Sequence, residues 1–245
     1  YTVLNFNTWA NDNEWIYAAF SRENHLAKLA SVYIRDLHNF GPAFYSEQEI
    51  AAYDAEARVL RAFANYNMID LFGRGPWIDE NSPTGAVPPT YDRKQLFDAT
   101  VADLVAHVDN MVPAAQQEYG RLSREAGYML LAKLYLNAEV YTGTAMWQEC
   151  ANALKHVVET GLELAPEYKY LFCRSNDKYV GNGEIIWGVP LRIGYTEGYG
   201  ATTYLTAGAW MEPDDDDSPL AQQLKKLNNY GTPWSGLRLR PELSK

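Results

Sequence analysis

Cysteine is scarce in this sequence, which has only Cys150 and Cys173 among its 245 residues. They form no CxxC pair, and two isolated cysteines cannot supply the framework of disulfide bonds that small secreted domains need. Hydrophobic residues make up 47% of the chain, an ordinary globular fraction. We therefore expect a fold held together by a hydrophobic core, with Cys150 buried as a free thiol on the apolar side of a helix.

Positive charge and long apolar runs are scarce too. The chain has 21 Lys and Arg against 31 Asp and Glu, which gives a formal net charge of −10. Proteins that bind nucleic acid normally present a basic surface to the phosphates, so we expect no nucleic-acid partner. Because no stretch of about 18 apolar residues occurs, the sequence also predicts no membrane-spanning helix.

The motifs of several enzyme classes are absent as well. Four histidines are scattered along the chain: His25, His38, His107 and His156. None lies in an HExxH motif or at metal-ligand spacing from the cysteines, and there is no GxSxG, GxGxxG or GxxxxGK[ST] sequence. Gly73-Arg74-Gly75 resembles part of a phosphate loop, but it ends a predicted helix instead of opening one. We therefore expect no metal, no cofactor and no catalytic residue.

Paired carboxylates keep one enzymatic alternative open, since helical glycosidases hold two of them across a cleft that binds sugar. Asp79 and Glu80 lie in a predicted loop, and Asp54 and Glu56 lie near a predicted helix start. Acidic side chains at a helix N-terminus are favoured by the helix dipole alone, which is the simpler interpretation of the second pair. A helical glycosidase therefore ranks behind a binding function among the hypotheses.

Apolar residues at helical spacing predict a mainly α fold. The predicted helices are, in chain order, residues 12–40, 54–72, 92–112, 123–141 and 145–161. Asp92 and Gln95 fit a capping box at the start of the third helix. The last two form a hairpin of the length found in tetratricopeptide repeats. Residues expected on the inward face of this hairpin include Leu134, Trp147, Leu154 and Val158.

Beyond residue 161 the character of the sequence changes. Residues 184–189 (EIIWGV) predict a strand, and residues 194–208 are rich in Gly, Thr and Tyr, with few helix formers. Four consecutive aspartates at 214–217 indicate solvated charge, since a calcium loop needs alternating oxygen ligands and a bending glycine. The sequence thus predicts a helical region at residues 1–161 and an irregular, short-stranded, ligand-binding region at residues 162–245.

Four segments, in order along the chain, resemble motifs of the SusD/RagB family. They are residues 55–62 (AEARVLRA) running into 70–77 (DLFGRGPW), residues 126–138 (AGYMLLAKLYLNA), residues 183–187 (GEIIW) and residues 233–243 (PWSGLRLRPEL). The first departs from the family pattern at Val59, where Phe is commonest. With four motifs in the family's order, the sequence is identified as a member of that family.

The resemblance implies both a fold and a role. The fold is a helical domain with tetratricopeptide-like hairpins, followed by a less regular part that binds ligand. The role is that of a glycan-binding lipoprotein, anchored by lipid in the outer membrane, facing outward and capping a SusC-like TonB-dependent transporter. Members of the family are usually much longer, so we expect this chain to be part of a longer protein whose lipid anchor lies outside it.

Within the family, residues 7–9 (NTW) and 199–205 (YGATTYL) are similar to members that bind starch and malto-oligosaccharides. Sugar rings present apolar C–H faces and hydroxyl edges, so a binder needs flat aromatic rings with polar groups beside them. The residues that we expect to bind ligand are Trp9, Asn11, Tyr204 and Trp210. The predicted function is noncatalytic capture of an oligosaccharide, an α-glucan, for import.

Two alternatives stay open beside this prediction. A tetratricopeptide-type scaffold that binds only protein would explain the helices, but not the aromatic, Gly- and Thr-rich segment after Tyr195. A helical glycosidase is the other alternative. Trp77 and Trp234 lie inside general family motifs, so we assign both to structure and not to the ligand.

Overall fold

The computed structural model describes residues 3, 6–173, 175–181, 183–191, 194–195, 219, 222–223 and 226. The chain divides into two compact units, Tyr1–Val189 and Pro190–Lys245. Nearly all the described residues belong to the first unit, which contains the helices described below. The predicted boundary between residues 161 and 162 stays a prediction.

The fold is mainly helical, as predicted, and a single antiparallel pair of short strands is added within the described residues. The helices are α1 (Glu14–Phe40), α2 (Glu47–Leu71), α3 (Arg93–His107), α4 (Arg124–Leu136), α5 (Ala138–Thr142) and α6 (Trp147–Val158). The strands are β1 (Arg74–Pro76) and β2 (Thr90–Asp92), paired between α2 and α3 in the chain. Neighbouring helices pack in pairs, with α1 against α2, α2 against α3, and α4 against α6.

Helices α1 and α2 begin at side-chain caps. The Asn13 carboxamide oxygen accepts hydrogen bonds from the backbone N–H groups of Trp15 and Ile16, which would otherwise be unpaired in the first turn. Ser46 and Glu49 form a complete capping box at the start of α2. That box places the start of the helix at Glu47, so the prediction of a start at residue 54 was wrong.

The predicted capping box of α3 is confirmed. The Asp92 side chain accepts from the backbone of Gln95, and the Gln95 side chain accepts from the backbone of Asp92. The helix ends at His107, and a 3-10 turn over Val108–Asn110 continues the chain. Apolar side chains of α3 and of this turn join the core at Leu96, Phe97, Leu104 and Val108.

The predicted hairpin of residues 123–161 forms as paired helices, with α4 packed against α6 and the short α5 between them in the chain. Leu134 is fully buried, as predicted, while Leu154 is half-buried against the core. The inward assignment was wrong for Trp147 and Val158, which are both exposed. They lie on the solvent side of α6, whose buried residues are Cys150, Ala153 and Val157.

The strand predicted at residues 184–189 is not formed, and isolated bridges occur instead, between Glu163 and Gly183 and between Val180 and Ile185. Consecutive side chains of a strand point to opposite faces. Here Ile186 and Trp187, although adjacent, both pack against the helical core. Side-chain anchoring therefore replaces a ladder of backbone hydrogen bonds in this segment.

Candidate functional site

Trp9 lies in an irregular segment that precedes α1. Turns shape this segment, since Asn7 has a left-handed φ of 53° and the Thr8 N–H donates to the carbonyl of Val3 at 2.9 Å. The indole is 47% exposed, and Asn11 is exposed in the same segment. A large aromatic ring with polar neighbours is thus available to solvent at this end of the chain.

Other aromatic side chains near Trp9 in the sequence are also exposed. They are Phe6, Trp15 and Tyr17. Single exposed apolar residues are normal on protein surfaces, but four aromatic rings within a dozen residues form a local concentration. Tyr and Trp combine a flat apolar face with a polar tip, which suits a surface that stays wet until a ligand covers it.

The predicted aromatic platform combines residues from two parts of the chain, of which the structure describes one. Trp9 and Asn11 are described, whereas Tyr204 and Trp210 lie outside the described residues. Tyr195, which precedes that second part, is exposed. The meeting of Trp9 with Tyr204 and Trp210 therefore stays a prediction.

Trp77 has the structural role that its place in the family motif predicted. It is half-buried and packs against the core. Its ring stacks on Tyr91, with the centroids 5.7 Å apart and the planes 3° from parallel. The Arg61 guanidinium lies 5.8 Å from the centroid of the same ring. Trp77 is thus occupied by protein contacts, and Trp234 lies outside the described residues.

Two of the carboxylates weighed for acid/base roles, Asp54 and Glu80, belong instead to a buried charge cluster, which also contains Arg58, Arg61 and Asp103. Arg58 donates to Asp54 at 2.6 Å, to Glu80 at 2.7 Å and to Asp103 at 2.6 Å. Arg61 donates to Glu80 and to Asp103, both at 2.8 Å. The side chain of Arg61 is only 1% exposed, so these pairs are held out of water.

The cluster keeps Glu80 ionised. Burial alone would raise the pKa of Glu80, but hydrogen bonds from Arg61, from its own backbone and from Arg58 outweigh burial and lower that pKa to about 2. Burial likewise acts to lower the pKa of Arg58, and its three acidic partners raise it further above its usual range. A carboxyl that is ionised at every ordinary pH cannot act as a general acid, which needs a pKa near the working pH.

The helix-dipole interpretation of Asp54 and Glu56 was wrong. Because α2 begins at Glu47, both residues lie beyond its first turn, where the dipole effect has faded. Asp54 instead pairs with Arg58 and contacts the His38 ring at 2.8 Å. Glu56 pairs with Arg121 and accepts the N–H of Leu122. Both carboxylates therefore link segments of the fold.

Sequence reasoning missed the two arginines, although a signal was present. Asp54, Arg58 and Arg61 follow one another at intervals of four and three residues. That is the spacing of residues on one face of a helix. Charged residues at this spacing, among apolar ones at the same spacing, indicate a polar cluster that is buried with the helix.

In the part of the chain that the structure describes, no group of three or more His, Cys, Asp or Glu side chains is arranged to hold a metal ion. None of the helices there combines the length and the apolar character that crossing a membrane requires.

No protein-family model matches the sequence. The chain is similar to the starch-binding protein SusD of Bacteroides thetaiotaomicron, with 31% identity over 155 residues, which are 63% of this chain and 28% of that protein. It is also similar to a SusD-like protein of Formosa agariphila, with 25% identity over 174 residues, 69% of this chain and 33% of that protein.

The fold is similar to that of solved structures too. One of them, determined with a xylogluco-oligosaccharide, matches with a TM-score of 0.65 and 26% identity, over 77% of this chain and 39% of that chain. The chain thus spans about a third of the length of the relatives it matches. Sequence similarity, the helical fold and the order of the motifs agree, and this chain is similar in sequence and in fold to SusD and SusD-like proteins.

Proposed function

We propose that this chain is part of a noncatalytic protein that binds an oligosaccharide at the outer surface of a bacterial cell. The observation that carries the proposal is the exposed indole of Trp9, which lies outside the helical core with polar residues on either side. A pyranose ring stacks its C–H face on such a ring, while side chains such as Asn11 reach its hydroxyl groups. Tyr204 and Trp210 are proposed to complete the platform.

The proposed ligand is starch or a malto-oligosaccharide. Similarity to a starch-binding protein supports this choice, as do the segments at residues 7–9 and 199–205. An α-glucan is curved, so rings from separate loops can meet its surface where one flat helix face could not. Because a structurally similar protein was solved with a xylogluco-oligosaccharide, that β-glucan is the natural competitor in any test.

The partner and the location are proposed from the family. The bound oligosaccharide would pass to a SusC-like TonB-dependent transporter, and the protein would be held in the outer membrane by a lipid anchor and face outward.

Binding without catalysis fits the chemistry of the acidic residues. Glu80 is held ionised by two arginines. Asp79 accepts hydrogen bonds from the Asn81 N–H and the Ser82 hydroxyl, both at 3.0 Å. A glycosidase needs one carboxyl that is protonated and a second that is free to attack or to activate water. These residues therefore favour a binder over a helical glycosidase.

One observation favours the alternative of a protein-binding scaffold. Apolar and aromatic side chains are exposed along α1 and the turn that follows it, at Leu29, Tyr33, Phe40, Phe44 and Tyr45. Exposed apolar patches often mark surfaces that bind another protein. Such a surface is also compatible with the first proposal, in which the protein contacts a transporter.

Calorimetric titration with malto-oligosaccharide and with xylogluco-oligosaccharide tests the proposal, with a reducing-sugar assay on the same mixtures. We expect saturable binding, stronger for the malto-oligosaccharide, and no release of reducing sugar. Binding of neither glycan would contradict the proposed function. Release of reducing sugar that disappears in Asp79→Asn would establish an enzyme instead.

A further inference from the structure

The connection between β1 and β2 is much longer than the pairing of the strands requires. Antiparallel neighbours are commonly joined by about two to five residues, whereas here the chain runs from Trp77 to Pro89. The Trp77 N–H donates to the carbonyl of Pro89 at 2.9 Å and closes the base of this segment. Long loops inside compact domains usually have a function of their own. We refer to residues 77–89 as the proline-rich loop.

The buried charge cluster fixes this loop to the helices. Glu80, in the loop, receives hydrogen bonds from Arg58 and Arg61 of α2. The buried hydroxyl of Ser31, in α1, donates to the loop carbonyl of Ile78 at 3.0 Å. Burying charges is costly unless each is paired, so these contacts define one position of the loop.

Between the loop and α1 lies a cavity of about 510 Å³. Cavities of about 300 to 1,000 Å³ are typical of sites for small ligands. Its apolar walls include Val32, Ile78, Pro88 and Pro89, and its hydrogen-bonding side chains include Lys28, Ser31, Arg35, Asp79 and Thr84.

The charges that face this cavity balance. Arg35 is paired with Asp36, and it also donates to the Thr84 hydroxyl. Glu80 is neutralised by its two arginines. Within the part of the chain that the structure describes, two charged groups at the cavity remain without an opposite charge beside them, the ammonium group of Lys28 and the carboxylate of Asp79. Lys28 has no ion-pair partner among the described residues. One cation and one anion give no net attraction for a phosphate, but together they offer donors and acceptors to hydroxyl groups.

We propose that the cavity under the proline-rich loop is a second ligand-binding site, separate from Trp9, for a neutral polyhydroxylated ligand the size of a mono- or disaccharide. The proline and valine walls cover the C–H faces of the ligand, and Lys28 and the Oδ2 atom of Asp79 bind its hydroxyl groups, since both hydrogen bonds from the loop go to Oδ1 of Asp79. The charge cluster holds the loop so that the cavity stays open. The site goes beyond the proposed function, since it requires neither Trp9 nor an α-glucan.

Nuclear magnetic resonance of the backbone amides tests this site while the indole N–H of Trp9 reports on the other. Maltose and cellobiose are the neutral probes, and inorganic phosphate is the anionic one. We expect at least one disaccharide to shift the amide signals of Ser82, Thr84 and Gly85 in a saturable way, and phosphate to leave them unchanged. Lys28→Ala should weaken the affinity at these amides about tenfold, because a hydrogen bond to a charged group is lost.

A variant that fills the cavity provides the decisive comparison. Ala86 is exposed in the loop and lines the cavity, so Ala86→Trp should abolish the loop shifts and leave any shift of the Trp9 indole in place. Ala106→Trp, on an exposed site of α3 away from the cavity, is the matched control and should change neither. Absence of loop shifts with both disaccharides overturns the proposal, as does unchanged affinity in Ala86→Trp. If only phosphate shifts the loop amide signals in a saturable way, the proposal of a neutral, polyhydroxylated ligand is overturned.

Discussion

Arg61 carries a full positive charge in the interior of the protein, with its side chain 1% exposed. Its two carboxylate partners come from the proline-rich loop and from α3. A single side chain thereby joins three separate segments of the chain. Its guanidinium also lies 5.8 Å from the centroid of the Trp77 ring, so that a cation–π contact accompanies the ion pairs.

Replacing Arg61 should destabilise the protein strongly. Arg61→Ala leaves Glu80 and Asp103 buried with one cation fewer, and breaking a buried ion pair on one side costs about 3–5 kcal/mol of the free energy of unfolding. Lys94→Ala is the matched control, because the Lys94–Asp98 pair is solvent-exposed and such pairs contribute about 1 kcal/mol or less. Urea denaturation measures both. Equal losses in the two variants would show that burial of Arg61 has no energetic consequence.

Glu80 should make the stability depend on acid pH. Its pKa is lowered from 4.5 to about 2 in the folded protein, so the folded state binds this proton less readily than the unfolded state. The stabilisation is complete above the unfolded value, falls as the pH drops from about 5 towards 2, and is absent below the folded value. In Glu80→Gln, the free energy of unfolding should fall less over this range than in the wild type. If the free energy of unfolding fell equally with pH in the variant and in the wild type, the lowered pKa of Glu80 would be contradicted.

At the scale of elements, helix ends were predictable where short polar motifs mark them. Asp92 and Gln95 were recognised, whereas the equivalent box at Ser46 and Glu49 was overlooked, and the start of α2 was therefore placed too late. The prediction of a strand at residues 184–189 was wrong for another reason. Its run of β-branched and aromatic residues is typical of a strand, but Ile186 and Trp187 are held by packing against helices.

Helix α4 should depend strongly on Leu134, which is fully buried. Leu134→Ala removes buried methyl groups and leaves a cavity, at a cost of about 2–5 kcal/mol. Leu154→Ala in α6 serves as the comparison, since Leu154 is only half-buried and its loss should cost less. Thermal or urea unfolding of both variants checks that Leu134→Ala loses more stability than Leu154→Ala. A larger loss for Leu154 would show that the inward face of the hairpin is misassigned.

At the scale of the whole molecule, the fold was more predictable than the site. Helical periodicity and caps act between neighbouring residues, so the sequence alone indicated most helices. The charge cluster joins Arg58 to partners on α3 and on the loop, and such distant pairing follows only from the tertiary fold. The predicted aromatic platform also depends on the tertiary fold, since Trp9 lies far along the chain from Tyr204 and Trp210. Tyr204 and Trp210 lie outside the described residues.

The central claim is that Trp9 binds an oligosaccharide, and calorimetric titration of Trp9→Ala with malto-oligosaccharide, beside a thermal melt, tests it most directly. Trp147→Ala is the matched control, because Trp147 is similarly exposed but lies at the start of α6. We predict that Trp9→Ala weakens binding by about 1–3 kcal/mol, the scale of a binding anchor, with an unchanged melting temperature, and that Trp147→Ala binds like the wild type. Unchanged affinity in Trp9→Ala would contradict the claim, and a collapsed melting temperature would make Trp9 a structural residue instead.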